Sequence, residues 1–162
     1  MSFPSNLDGA IVTFFNYGTG TVIDLAGGGK DNETGVIGYQ FHTGKNQQWR
    51  LHVTDATDPN NLKWVIRNVA SQTNLDLYQG GKENGTKITG WGGSEANTTN
   101  DHQLWHLVPA AAAQGYQVLK IQNAGTGTFV DLKDGNSANG TEIFGWADAG
   151  NNNQLWRVLR IE

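Results

Sequence analysis

Three acids and three aromatic rings, held at one constant separation, are the residues of this chain best suited to chemistry. Asp24 and Tyr39, Asp76 and Trp91, and Asp131 and Trp146 are each 15 positions apart. Each pair is followed by a polar ring or amide and then a glutamine: Asn46-Gln47, His102-Gln103 and Asn153-Gln154. A carboxylate accepts hydrogen bonds from neighbouring hydroxyls, and its charge makes them stronger than neutral ones. A flat ring offers its face to C–H groups. A side-chain amide donates and accepts, as a hydroxyl does. The combination suits a ligand with hydroxyls at its edge and C–H bonds on one face, which describes a sugar. It calls for neither metal nor cofactor.

The elements that would position these residues recur with them. Ile23-Asp24-Leu25, Asn32, Thr34, Val36, Gly38-Tyr39 and Asn46-Gln47-Gln48-Trp49 form the first copy of a string that returns at a period of about 50 residues. The second copy is Leu75-Asp76-Leu77, Asn84-Gly85-Thr86, Ile88, Gly90-Trp91 and His102-Gln103-Leu104-Trp105. The third is Val130-Asp131-Leu132, Asn139-Gly140-Thr141, Ile143, Gly145-Trp146 and Asn153-Gln154-Leu155-Trp156. From Asp to the closing Trp is 25 positions in the first and third copies and 29 in the second. The extra four fall between 92 and 101 and predict a surface loop there.

Within each copy short alternating apolar runs, such as Val118-Leu119-Lys120-Ile121, are broken by Gly, Asn and Asp clusters, the pattern of strands joined by turns. About four strands per copy predict about twelve in all. Three copies are too few to close a propeller. A barrel made from half the strands and capped by the others as hairpins leaves no open edge. The expectation is an all-β fold, a β-trefoil with threefold pseudosymmetry. One domain would span 1–162, with repeats near 10–56, 62–109 and 115–162. The polar stretch 55–61 and the helix-friendly stretch 110–113, preceded by Pro109, would connect them.

Composition narrows the function. The chain has 162 residues, 11 Lys and Arg against 15 Asp and Glu, and a net charge of -4. With no basic run, nucleic acid is not expected as a partner. No apolar run is long enough to span a membrane. The absence of cysteine excludes disulfides and thiol chemistry, so packing must hold the fold. No signal-peptide pattern opens the chain, so the expected location is the cytoplasm, or outside the cell without a conventional signal. The strings beginning at Asn32, Asn84, Asn97 and Asn139 match a glycosylation sequon and are read as turns.

Gln-x-Trp three times in register, each preceded at fixed spacing by Asp and an aromatic, resembles the ricin-type, or ricin B-like, β-trefoil lectins. The resemblance runs from about Ala10 to Ile161. Lacking cysteine, the chain is more similar to the small fungal members than to the disulfide-bearing secreted plant ones. The resemblance implies a multivalent lectin without catalysis, binding galactose- or N-acetylgalactosamine-containing glycans of glycoproteins or glycolipids, often in defence against grazing animals. In the third copy it implies Asp131 as acceptor, Trp146 as platform and Asn153 as amide, supported by Gln154. The first copy matches with Asp24, Asn46 and Gln47, with Tyr39 in place of tryptophan. The second keeps Asp76, Trp91 and Gln103, but His102 stands where the others have Asn.

Other roles stay open for these residues. Trp49, Trp105 and Trp156 are expected in the core, because a small barrel needs large buried side chains repeated threefold. Gln47, Gln103 and Gln154 could pair with backbone instead of ligand. The three Asp side chains alternate with apolar neighbours and should face outward or toward a turn, which they could stabilise. His42, His52, His102 and His106 have no metal-ligand spacing. A second function is a protein-binding trefoil, either a protease inhibitor or a non-catalytic subunit, using the loop between 92 and 101; a homodimer is a further possibility. An enzyme finds little support, since no nucleophile elbow, phosphate loop or metal-binding helix is present.

Overall fold

Alternating apolar residues between glycine-rich turns give four strands in each copy of the computed structural model, which describes residues 2–110 and 117–162. The first copy holds β1 (Ile11–Asn16), β2 (Val22–Leu25), β3 (Thr34–Tyr39) and β4 (Trp49–Asp55). The second holds β5 (Lys63–Asn68), β6 (Asn74–Leu77), β7 (Thr86–Trp91) and β8 (Trp105–Ala110). The third holds β9 (Val118–Asn123), β10 (Phe129–Leu132), β11 (Thr141–Trp146) and β12 (Trp156–Arg160). The stretch 55–61 is the turn of the β4–β5 hairpin. Of the helix-friendly stretch, Ala110 ends β8 and 111–113 lie outside the described residues.

Pairing arranges the strands in two rings, joined where β1, β5 and β9 meet β2, β6 and β10. β1, β4, β5, β8, β9 and β12 join edge to edge in a ring, the barrel. The hairpins β2–β3, β6–β7 and β10–β11 meet through β3, β7 and β11, which pair with one another in a triangle over one end. No strand of either set presents a long open edge. This is the β-trefoil that the repeats predict.

Each closing tryptophan begins a barrel strand and lies in the core: Trp49, Trp105 and Trp156 are at most 1% exposed. Their indole Nε1–H groups donate to Ile23 O, Leu75 O and Val130 O at 3.0, 3.0 and 3.1 Å. The acceptor is in every case the residue before the aspartate. The same bond therefore satisfies a buried donor and ties the barrel to the hairpin that carries the acid.

The hairpins lean on one another in one rotational sense. The leucine after each Asp packs against the glycine before the aromatic of the following copy. A methyl group added at Gly90, Gly145 or Gly38 would come within 2.8, 2.9 or 2.7 Å of Leu25, Leu77 or Leu132 Cδ1. Close approach of another copy's leucine is why glycine precedes each ring.

Asn16, Asn68 and Asn123 form a second threefold set. Their Nδ2 groups donate to backbone carbonyls of the polar turn before a closing Trp, at Asn152 and Asn153, at Asn46, and at Asp101 and His102. Their Oδ1 atoms accept backbone N–H groups two and three residues on. They lie eight residues before each Asp, a spacing readable in the sequence but absent from the signature above.

Candidate functional site

Register on the hairpins decides which side chains can meet. Asp24 is opposite Ile37 and Val22 is opposite Tyr39, so Asp24 and Tyr39 are diagonal neighbours on one face. The same holds for Asp76 and Trp91, and for Asp131 and Trp146. Diagonal positions lie about 7–8 Å apart. Tyr39, Trp91 and Trp146 are all partly exposed.

Of the two orientations expected for the acids, outward or toward a turn, the structure has the second. Asp24, Asp76 and Asp131 do not stand out in solvent; they are 2, 3 and 4% exposed, because the polar turn before each closing Trp lies over the hairpin face. Gln47, Gln103 and Gln154 sit on these turns and are buried behind the acids instead of at a ligand's edge. Their Nε2 groups donate to Asp24, Asp76 and Asp131 Oδ2 at 2.8, 2.9 and 2.8 Å. The same Nε2 groups donate to the carbonyl after each aromatic, Gln40 O, Gly92 O and Ala147 O. Burial raises the pKa of all three carboxyls above the ordinary 3.8, and the glutamine bonds oppose it.

The third copy holds the simplest arrangement. Trp146 stacks on Phe144, with centroids 5.2 Å apart and planes at 29°, and Phe144 lies directly opposite Asp131. Asn153 stands against Gly135 beside the acid, and its amide favours the ionised form. Gln154 Oε1 accepts from Ala149 N at 3.1 Å. Lys120 pairs with Asp148 at 3.0 Å just beyond the platform, and its ammonium lies 5.3 Å from the Phe129 ring centroid. Phe144, two residues before the platform, is the contact that spacing alone did not single out.

In the first copy Asn46 Nδ2 donates to Asp24 Oδ1 at 3.2 Å. His42, which the sequence gives no metal-ligand spacing, comes to this site: Nε2 is 3.7 Å from Asp24 Oδ2 and the ring meets Tyr39 edge-on, centroids 5.8 Å apart. Phe41, 39% exposed, packs on Phe15 with centroids at 5.0 Å.

The second copy is altered, as its sequence indicates. His102 fills the asparagine's place, so close to Gly80 that an added methyl group would be 2.8 Å from the imidazole. The inserted loop is drawn over the site's edge: Arg67 Nη1 donates to Gly93 O at 2.9 Å and Asn74 Nδ2 to Ser94 O at 3.0 Å. Asn74 also donates to Gln103 Oε1 at 2.9 Å, replacing the backbone N–H used in the other copies. Tyr78 meets Trp91 edge-on at 6.3 Å and carries Lys87 Nζ 4.0 Å above its face. Opposite Asp76, Thr89 Oγ1 is buried and has no hydrogen-bond partner among the described residues.

The family model described as ricin-type β-trefoil lectin domain-like matches residues 2–91 and 101–162. The unmatched gap falls on the second copy's extra loop. Among solved structures, a designed threefold-symmetric protein, ThreeFoil, has a TM-score of 0.78 at 22% identity, covering 93% of this chain and 99% of its own, a likeness of fold. The Rhizoctonia solani agglutinin has a TM-score of 0.76 at 28% identity, with 99% of each chain covered. The Macrolepiota procera ricin B-like lectin, solved in complex with lactose, has a TM-score of 0.72 at 27% identity, covering 95% of this chain and 97% of its own. No curated protein matches the chain in sequence.

Proposed function

We propose, for a chain that belongs to the ricin-type β-trefoil lectin-like family, that it is a multivalent, non-catalytic lectin for galactose- or N-acetylgalactosamine-containing glycans. The observation that carries this reading is the diagonal pairing of a glutamine-anchored carboxylate with a partly exposed aromatic on one hairpin face, three times over. A galactose places its C–H face on the ring while adjacent hydroxyls donate to the carboxylate. Asn46 and Asn153 stand beside the acid, ready to accept from or donate to the next hydroxyl. The likeness to a fungal lectin solved with lactose, a galactoside, supports the substrate class.

The third copy is the principal site, with Asp131, Trp146 and Asn153 as contacts and Gln154 as the anchor of the acid. The first is a second site, with Asp24, Tyr39, Asn46 and the anchor Gln47. The second copy, with Asp76, Trp91, His102 and the anchor Gln103, is the weakest for galactose because Arg67 and Asn74 hold the inserted loop at its edge. One shallow site supports only roughly millimolar affinity, about -4 kcal/mol. Clustered glycans on a surface raise this by engaging several sites at once.

Each proposed site presents one buried acid, whereas glycoside hydrolysis needs two carboxylates flanking the bond. The deciding experiment is a glycan array probed with the wild-type protein and with Asp24→Ala, Asp76→Ala and Asp131→Ala. Galactoside signals that fall most with Asp131→Ala support the assignment. Absence of any glycan signal from the wild type overturns it.

A further inference from the structure

We propose that Asn32, Asn84 and Asn139 are positioning residues for the glycan sites, each serving the next copy round the ring and not its own. The inference rests on the glycan-binding reading above. Asn32 Oδ1 accepts from Gly92 N, Asn84 Oδ1 from Ala147 N and Asn139 Oδ1 from Gln40 N, each at 2.8 Å. These three acceptors come from hairpin tips, and the three donors are the residues immediately after Trp91, Trp146 and Tyr39.

The residue after each platform is thus gripped at both of its backbone polar groups. Its N–H goes to an asparagine of the preceding copy. Its carbonyl takes the Nε2 of its own copy's glutamine, at 3.1 Å for Gly92, 2.8 Å for Ala147 and 2.9 Å for Gln40. That glutamine also holds the carboxylate. One line of hydrogen bonds therefore runs from a neighbouring copy's asparagine, through the residue behind the ring, to the acid. It sets the distance between the two groups that a sugar must bridge.

The tips are shaped for this reach. Thr34, Thr86 and Thr141 Oγ1 donate to the carbonyl three residues back, at 2.6, 2.7 and 2.6 Å. The residues following the asparagines, Glu33, Gly85 and Gly140, donate their N–H groups to Gly90, Gly145 and Gly38 O at 3.1, 2.9 and 2.9 Å. Those carbonyls belong to the residues just before the rings, so each tip braces its neighbour's platform on both sides. The recurring Asn-x-Thr strings, which look like glycosylation sequons, are accounted for by this geometry: asparagine reaches across and threonine closes the turn.

The test uses a background in which only the third site is left, Tyr39→Ala with Trp91→Ala, titrated with lactose and followed by the Ala147 amide in ¹H–¹⁵N spectra. Adding Asn84→Ala should weaken lactose binding about fivefold, the scale of one exposed backbone hydrogen bond, and shift the Ala147 amide. Asn84→Asp, which keeps the acceptor, should stay within about twofold of the background. Asn139→Ala, which braces the first site, should change neither reading. Lactose binding unchanged by Asn84→Ala, or weakened equally by Asn139→Ala, overturns the inference. A wild type that binds no galactoside overturns the function instead; the Ala147 amide then decides, upholding the cross-copy grip if Asn84→Ala moves it and overturning it if not.

Discussion

Gln154 Nε2 lies 2.8 Å from Asp131 Oδ2 and 2.8 Å from Ala147 O, so one buried amide joins the acid of the third site to the residue that follows its indole. The choice of partner matters. A lysine or arginine would neutralise the carboxylate, whereas a neutral amide fixes its direction and leaves its charge in place. Gln47 and Gln103 do the same at Asp24 and Asp76.

Gln154→Ala is predicted to damage stability and binding together. It strips a partner from Asp131, Ala147 O and Ala149 N at once. Groups left unsatisfied cost about 1–3 kcal/mol each when buried, and partial rehydration here should hold the total to about 2–4 kcal/mol. Urea unfolding measures this, and a loss under about 1 kcal/mol would deny glutamine its anchoring role.

Trp146→Ala should separate the two properties. The ring is partly exposed and rests on Phe144. Lactose affinity of the third site is predicted to fall at least about tenfold, while Tm drops by about 2–4 °C. Trp156→Ala, by contrast, empties a fully buried position and should cost about 3–5 kcal/mol. Calorimetry of the two variants side by side distinguishes platform from scaffold; intact lactose binding in Trp146→Ala would remove the indole from the site.

Acidity should move stability and binding in opposite directions. Burial raises the Asp131 pKa above 3.8 in the folded protein. Protonation is then easier in the folded than in the unfolded chain, so the contribution of this group is fully present below 3.8 and is lost as pH rises through the raised value. Asp131→Asn should therefore gain stability relative to wild type on going from acid to neutral pH. Wild-type lactose binding should weaken as pH falls through that same raised value, because a neutral carboxyl is a poorer acceptor. Thermal melts of the pair across this range check the sign, and a wild type that gains on the variant with rising pH contradicts it.

Valence is predicted to be separable from affinity. With Tyr39→Ala and Trp91→Ala in place, lactose binding at the third site should stay within about twofold of wild type, while agglutination of galactosylated beads is lost because no second site can be engaged. Beads that still clump would point to self-association of the chain.

The fold was legible because its determinants repeat. Gln-x-Trp, the Asp-to-aromatic spacing and the glycine before each ring mark the same three hairpins and barrel strands that form. The site was legible only in part. Alternation left two orientations for the acids, outward or toward a turn; a strand pattern alone cannot choose between them, and the acids lie beneath a turn folded over the strand face. His42 was set aside and Phe144 passed over because each occurs in one copy, so comparison of copies gives them no weight. Asn16, Asn68 and Asn123 repeat as faithfully as the aspartates; their role is a contact between copies, invisible until the ring closes.

The junctions between hairpins have one further consequence. Leucine, glycine and asparagine meet at all three with the same chemistry, as do the Asn16, Asn68 and Asn123 contacts between copies, so each junction asks the same parts of whichever copy adjoins it. The differences that distinguish the copies, a phenol at 39 against an indole at 146, an imidazole at 102 against an amide at 153, a lengthened loop in the middle, lie outside the parts that hold the ring together. They can diverge without disturbing the junctions.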